Sequence, residues 1–380
     1  MKSYVVASLL IVLILLAAPV MAQPASNLTD GCAESYDAGV DYFPDKAEIT
    51  HAEGLSIDYF GNYKVVTVFT PWFGAGENDA FTYVLTQCGT PVPIAATFPV
   101  GTQFVDVPTG NLIALSTTEM PRVASLGLID QLIGLDSFLW TNTPEVVTKI
   151  DAGELIEVGN GASINIEQVL DAEPGLVITN GTGTPEYDAH PLLLEAGIPV
   201  AVDGDYVEPT LLGNAEWIKF LAAFYNQEAE ANAVYDAVVA DYEAAAQLAA
   251  GVPADQRETI LYNSYQSFTE SWSIPGQATW AGSLLLDAGV DYVLMDEAPD
   301  QPAQLSFEAV YDAGFDAPIW LLNTFGVGSL DDLVAQDARN ADFDAVESGA
   351  VYNNDARQNI NGGNDFWETG VNNPHLLLRD

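Results

Sequence analysis

The order of its apolar segments constrains this chain more than any single residue does. From residue 111 onward, short apolar and β-branched runs alternate with stretches whose apolar positions recur every three or four residues. Leu112-Ile113-Ala114-Leu115 reads as a strand, 119–128 as a helix and Leu132-Ile133-Gly134-Leu135 as a short strand. A helix over 164–172, the strand Leu176-Val177-Ile178-Thr179, a helix over 185–196 and the strand Ile198-Pro199-Val200-Ala201-Val202 continue the series. Strands that alternate with helices imply crossover connections, which favour a mostly parallel sheet covered by helices.

The alternation stops over 211–250. There Trp217, Ile218, Phe220, Leu221, Phe224, Tyr225, Val234, Tyr235, Val238, Val239 and Tyr242 fall at helical spacing among abundant Ala, and Gly251-Val252-Pro253 supplies a stop. The segment is predicted to be one long helix. Beyond it the alternation restarts, with strands over 259–263, 292–295, 319–322 and 350–352 and helices over 279–288, 306–313 and 329–335. The predicted fold class is α/β: two Rossmann-like lobes with central, mostly parallel sheets, bridged by a single long α-helix. The boundaries are 1–22 for a signal peptide, 23–110 for an N-terminal extension with a β-hairpin, 111–210 for the N-terminal lobe, 211–250 for the linking helix and 251–380 for the C-terminal lobe. The lobes also echo each other: Ile166-Glu167-Gln168-Val169-Leu170-Asp171-Ala172 aligns with Phe307-Glu308-Ala309-Val310-Tyr311-Asp312-Ala313, each followed by an apolar strand.

The N-terminus carries an export signal. Lys2 precedes an apolar run over 5–18, Pro19 ends it, and Val20-Met21-Ala22 offers small residues for cleavage. No Cys directly follows that site, so the pattern does not indicate a lipid anchor there. The extension is polar over 23–60; the hairpin expected in it joins a β-branched strand over 63–69 to one over 83–87. The chain's two cysteines, Cys32 and Cys88, are expected to pair in an exported protein and staple the extension to that hairpin.

Ten Lys and Arg stand against 54 Asp and Glu, a net charge of −44. A field of that sign repels nucleic acid and anionic membrane surfaces, so neither is an expected partner. The acidity suits solubility in a saline medium, or else a surface that attracts cations. His51, His190 and His375 are scattered and form no metal-binding pattern with the two cysteines; no cofactor is expected.

Several stretches carry a family resemblance: Ala114-Leu115-Ser116-Thr117-Thr118, the Gly/Asn-rich 159–167, Asn180-Gly181-Thr182-Gly183-Thr184-Pro185-Glu186-Tyr187-Asp188-Ala189-His190-Pro191, Ala215-Glu216-Trp217-Ile218-Lys219-Phe220, and 353–368. With the lobe order and the export signal, the chain over about 60–380 resembles the periplasmic binding proteins for iron–siderophore and cobalamin uptake. One departure is that the chain stops at Asp380 inside an apparent helix, where such proteins usually continue. The resemblance implies the solute-binding component of an ABC importer. Its partners would be a small-molecule ligand (a ferric siderophore, cobalamin or haem-like chelate) and the ABC permease with its ATPase. The protein would be a periplasmic or extracellular monomer without catalytic activity. The resemblance also implies that one acid per lobe meets the permease; the matching positions are Glu167 and Glu308.

Parallel sheets place ligands at the carboxyl ends of their strands. The loops over 116–119 (with Thr118), 180–187, 264–280 and 323–328 qualify, and 353–368 is added by the resemblance. Tyr187, Tyr265, Phe268, Trp272, Trp280, Phe325 and Trp367 are aromatics on these loops that could stack on a flat ligand. Arg357, a cation among Asn and Gly, is read as a bidentate partner for a ligand oxygen pair, with a structural ion pair as the alternative. Arg122 is a weaker candidate of the same kind. The chain has no Gly-x-Ser-x-Gly elbow, no P-loop and no His-Glu-x-x-His. The alternative function is a secreted carbohydrate-active hydrolase using paired carboxylates and aromatic platforms; a direct metal-ion carrier would need a convergent His/carboxylate cluster.

Overall fold

A computed structural model describes residues 23–266 and 269–380. The signal peptide read over 1–22, and Phe268, lie outside the described residues.

The extension forms a sheet of its own. Strands β1 (Leu55–Phe60), β2 (Tyr63–Val68), β3 (Phe81–Gln87) and β4 (Gln103–Val107) lie side by side in that order. The first three are antiparallel, with Tyr63 opposite Thr86, and β4 runs parallel to β3. Strand β2 alternates cleanly, with Lys64, Val66 and Val68 facing inward. A disulfide joins Cys32 to Cys88, which directly follows β3. It closes a loop of 56 residues, so reduction is expected to cost about 2–4 kcal/mol of stability. Non-reducing peptide mapping should recover the two cysteine peptides linked; recovery of both alkylated would overturn the pairing.

Three buried acids fasten this sheet to the rest of the molecule. Glu216 accepts the backbone N–H groups of Thr50, His51 and Ala52 at 2.6–3.0 Å. Burial works against its ionisation, but the Lys219 bond and the amides of Ala52 and His51 hold it below its ordinary range. Glu208 accepts the N–H groups of Glu53 and Gly54 and the Trp217 indole N–H at 2.8–2.9 Å. Glu228 pairs with Lys64 and accepts from Asn27 at 2.8 Å, all inside the protein.

In the N-terminal lobe, β5 (Leu112–Ala114), β6 (Leu132–Leu135), β7 (Ile156–Glu157), β8 (Leu176–Asn180) and β9 (Val200–Asp203) form a fully parallel sheet. Its order, β7-β6-β5-β8-β9, reverses between β5 and β8. Such a switch point opens a crevice at the strands' carboxyl ends. In the C-terminal lobe the strands are β10 (Thr259–Gln266), β11 (Ser271–Ile274), β12 (Asp291–Tyr292), β13 (Ala303–Leu305), β14 (Ile319–Leu322) and β15 (Val351–Asn353). Strands β12, β10, β14 and β15 run parallel; β11 turns back antiparallel on the end of β10 and pairs with β13.

The segment over 211–250 differs from the single helix expected. It is three helices, Leu211–Glu216, Ile218–Tyr225 and Glu228–Ala250. The chain turns left-handed at Asn226, φ 57°, a conformation that Asn tolerates well. The Asn226 side chain is held there by Lys64, Gln87 and the Leu28 carbonyl. The bridge between the lobes is therefore the 23-residue helix Glu228–Ala250. It starts against the extension and ends beside the C-terminal lobe, where Tyr242 donates to Asp287 at 2.6 Å. The two α/β lobes joined by a long helix are otherwise as expected.

A second connection runs back from the C-terminus. A π-helical turn, Phe366–Gly370, and the helix Pro374–Arg379 return to the bridge and the N-terminal lobe. Glu368, fully buried, accepts from the backbone of Asn142 and Thr143 and from the hydroxyls of Thr141 and Thr143.

Candidate functional site

A cleft of about 730 Å³ opens between the lobes. One wall comes from the extension. The turn after β2 carries Trp72 and Phe73, and Tyr206 follows β9; the rings of Phe73 and Tyr206 meet edge to face at 5.4 Å. Trp72 lies over the loop after β8 and stacks on His190 at 5.8 Å. Glycine is required beneath it. A Cβ on Gly181 or Gly183 would come within 2.7 Å of the indole, and Gly183 has φ +73°. The Tyr206 hydroxyl donates to the Gly181 carbonyl at 2.7 Å.

The opposite wall comes from the C-terminal lobe: Tyr262 and Ser264 on β10, Ser273 on β11, Asn323 after β14, and Trp280 at the start of the helix Trp280–Asp287. Thr279 caps that helix and fixes Trp280 at its first position. Trp280 meets Trp367 edge to face with ring centroids 5.5 Å apart, so the C-terminal segment completes this wall. Burial pushes the hydroxyls of Tyr206 and Tyr262 up to about 12, so both are neutral at ordinary pH. Glu208 reaches the lining while holding its three N–H donors, and burial raises its carboxyl as well.

A second, smaller depression of about 320 Å³ sits at the carboxyl ends of β5, β6 and β8. Tyr187, Asp136, Trp140 and Thr182 line it, and burial pushes the Asp136 carboxyl up to about 6.

The structure brings together only part of the set singled out from sequence. Trp280 and Trp367 share the cleft. Tyr187 is largely exposed and lines the smaller depression, while Thr118 is part of neither lining: its hydroxyl meets Ser116 at the edge of the depression, at 2.9 Å, and its carbonyl accepts from Asn372. Trp272 is corrected to a core residue: β11 alternates, and Trp272 points inward between Tyr265 and Trp320 at 5.2 and 5.6 Å. Tyr265 packs on it and does not reach the cleft lining. Phe325 projects into solvent. Arg357 is also corrected. Its guanidinium is drawn to Asp380 at 2.8 Å and Asp365 at 3.3 Å, outside both cavities, so the structural ion pair accounts for it. Arg122 is buried among Asp203, Asp205 and Glu119. Trp72, Phe73, Tyr206 and Tyr262 were missed; the visible cue was an aromatic pair in the turn Thr70-Pro71-Trp72-Phe73-Gly74.

Glu167 and Glu308 each occupy the second residue of a helix, Ile166–Ala172 and Phe307–Gly314, at matching places in the two lobes. Both are exposed; Glu308 pairs with Arg339 at 2.9 Å. Among the described residues, no group of three or more His, Cys, Asp and Glu converges as a metal site.

The sequence model of the periplasmic binding proteins matches residues 112–357. The chain belongs to the periplasmic binding protein family. The match begins after the extension sheet, takes in the N-terminal lobe and the bridge of this binding protein, and runs through β15 of the C-terminal lobe. Among curated proteins it is similar to an uncharacterized lipoprotein of Methanocaldococcus jannaschii, 22% identical over 78% of this chain and 70% of that protein. A second uncharacterized lipoprotein of the same organism is 24% identical over 58% of this chain and 57% of its own length. Among solved structures it shares its fold with the periplasmic heme binding protein HutB of Vibrio cholerae, at TM-score 0.53 and 17% identity, over 71% of this chain and 99% of that one. A possible iron-binding protein from Staphylococcus epidermidis gives TM-score 0.55 at 12% identity, over 72% of this chain and 100% of that one. Helicobacter pylori CeuE with Ni(II) bound gives 0.53 at 18%, over 73% and 84%.

Proposed function

We propose that this binding protein is the extracytoplasmic component of an ABC importer that captures a ferric siderophore or related metal chelate between its lobes and hands it to the permease. The observation that carries the reading is the cleft itself. Its 730 Å³ falls in the range of small-molecule sites, and six neutral aromatics line it between two lobes joined by one long helix. The hydrolase alternative needs two carboxylates facing one substrate. Among the described residues Glu208 is the acid in this lining, and three N–H donors already occupy it. The neighbouring proteins named for haem and iron binding support a chelate as the class of cargo. Export, a location outside the cytoplasmic membrane and a monomeric state belong to the same proposal.

Trp72, Trp280 and Trp367 make the test direct, because ligand entry should change tryptophan emission saturably and without turnover. Trp280→Ala should weaken binding by about 2 kcal/mol, roughly 30-fold, with its fold intact by circular dichroism. Catalytic turnover of an oligosaccharide, or affinity unchanged in Trp280→Ala, would count against the reading.

Glu167 and Glu308 are proposed to meet the two permease subunits. Charge reversal at either should leave chelate affinity and melting temperature unchanged while reducing stimulation of the transporter ATPase, since a like-charge contact costs an interface. Normal stimulation by both variants would end the docking assignment and leave the acids as helix N-terminal residues.

A further inference from the structure

Resting on that reading, we infer that the cargo is a chelate of zero or positive net charge, and that the cleft rejects anionic chelates, haem with its two carboxylates among them. The inference comes from where the scarce cations are. None of the described Lys and Arg residues lines the cleft or the smaller depression, whereas each lining contains a carboxylate, Glu208 in one and Asp136 in the other. Ser267 and Phe268, outside the described residues, carry no charge.

The described cations stand elsewhere. Lys64, Arg122 and Lys219 are buried in ion pairs with Glu228, with Asp203 and Asp205, and with Glu216. Lys149 donates to the carbonyls of Ile129 and Leu132. Lys46, Arg339, Arg357 and Arg379 are held by surface acids. Arg257 lies at the far end of the bridging helix beside Glu243 and Asp287.

An anion entering this cleft would lose its water without gaining a counter-charge, which is among the most costly ways to bury a group. It would also approach through the field of a protein of net charge −44. A neutral or cationic chelate meets what the cleft does supply. Ser264, Ser273, Gln301 and Asn323 offer uncharged hydrogen-bonding groups for amide and hydroxyl oxygens. The ring faces of Trp280 and Trp367 favour positive charge.

Tryptophan emission of the wild-type protein titrated with four purified complexes tests this: cationic ferrioxamine B, neutral ferrichrome, trianionic ferric enterobactin and haemin. The first two should bind saturably, at least about 100-fold tighter than the last two at low ionic strength. An anionic complex that binds as tightly as the best uncharged one overturns the charge selectivity and leaves chelate capture standing. Failure of all four to bind overturns chelate capture and the selectivity with it. The variant Gln301→Arg, checked for fold by circular dichroism, places a cation on the cleft wall and should narrow the gap by about 10-fold. A gap unchanged in that variant also counts against charge as its cause.

Discussion

Arg122→Met is expected to cost the fold about 3–5 kcal/mol, because it leaves a group of buried carboxylates with no counter-charge. Arg122 sits on the helix Glu119–Ser125 and its side chain is wholly buried. Its guanidinium holds Asp203 and Asp205 at 2.6 Å each and Glu119 at 3.5 Å, while Nε donates to Asn372 at 2.7 Å. One side chain thus ties the first helix of the N-terminal lobe to the end of β9 and to the returning C-terminal segment. Burial pushes the Glu119 and Asp203 carboxyls up even with the arginine present. Carboxyls raised in the folded state bind protons there that the unfolded chain has already released. Their contribution is complete below the ordinary carboxylate range and is lost as pH rises through the raised values. Removing the cation raises them further, so the variant should lose stability more steeply than the wild type as pH rises from the ordinary carboxylate range toward alkaline values. Urea unfolding midpoints across that range check both statements. A variant midpoint that matches the wild type at every pH would sink the account.

Lys64→Met should be almost as damaging, again by about 3–5 kcal/mol, through a different element. Lys64 points inward from β2 and meets Glu228, the first residue of the bridging helix, with both side chains out of contact with water. Burial lowers the ammonium from its ordinary range, and Glu228 acts in the opposite direction. Glu228 would keep Asn27 as a donor at 2.8 Å after the substitution, but it would have lost the one cation that it pairs with among the described residues. Replacing both partners by apolar residues of similar volume removes the uncompensated charge. The double variant Lys64→Met/Glu228→Leu should therefore recover more than half of the loss. A double-mutant cycle in urea reads this directly; losses that simply add would show that the pair is not coupled.

The sequence made the repeating architecture legible because parallel strands buried on both faces are continuous apolar runs. β5, β8, β9 and β14 are of that kind, and each was found within a residue or two. Strands β1, β4 and β11 were not found. They are half-polar, and what makes them strands is their partner across the sheet. Ser271-Trp272-Ser273-Ile274 does alternate, a signal that Trp272 belongs to the core. The break at Asn226 was invisible for another reason. Apolar spacing continues across it, and the groups that hold the left-handed turn come from Leu28, Lys64 and Gln87, far away in the chain. Arg357 misled in the same way, since its partners Asp365 and Asp380 were two acids among 54. In the cleft, Trp280 and Trp367 could be picked out as loop aromatics. The wall built by Trp72 and Phe73 depends on how the extension docks, which no local pattern encodes.

That docking has a consequence for how the molecule matures. The extension is made first, yet its fastening points are 155 to 201 residues further along: Glu208 for Glu53, Glu216 for Thr50 and Glu228 for Asn27. Synthesis from the N-terminus completes the extension sheet well before any of these acids is made. During that interval the Cys32–Cys88 loop can already close, since both cysteines precede all three acids in the chain. The bridging helix, the cleft wall and the extension then come together in one late step, set by contacts of long sequence separation, which are intrinsically slow to form. The waiting sheet, with Phe104 on β4 and with Ile94 and Val100 in the connection before it exposed even in the finished fold, is the part of the nascent protein most open to misassociation.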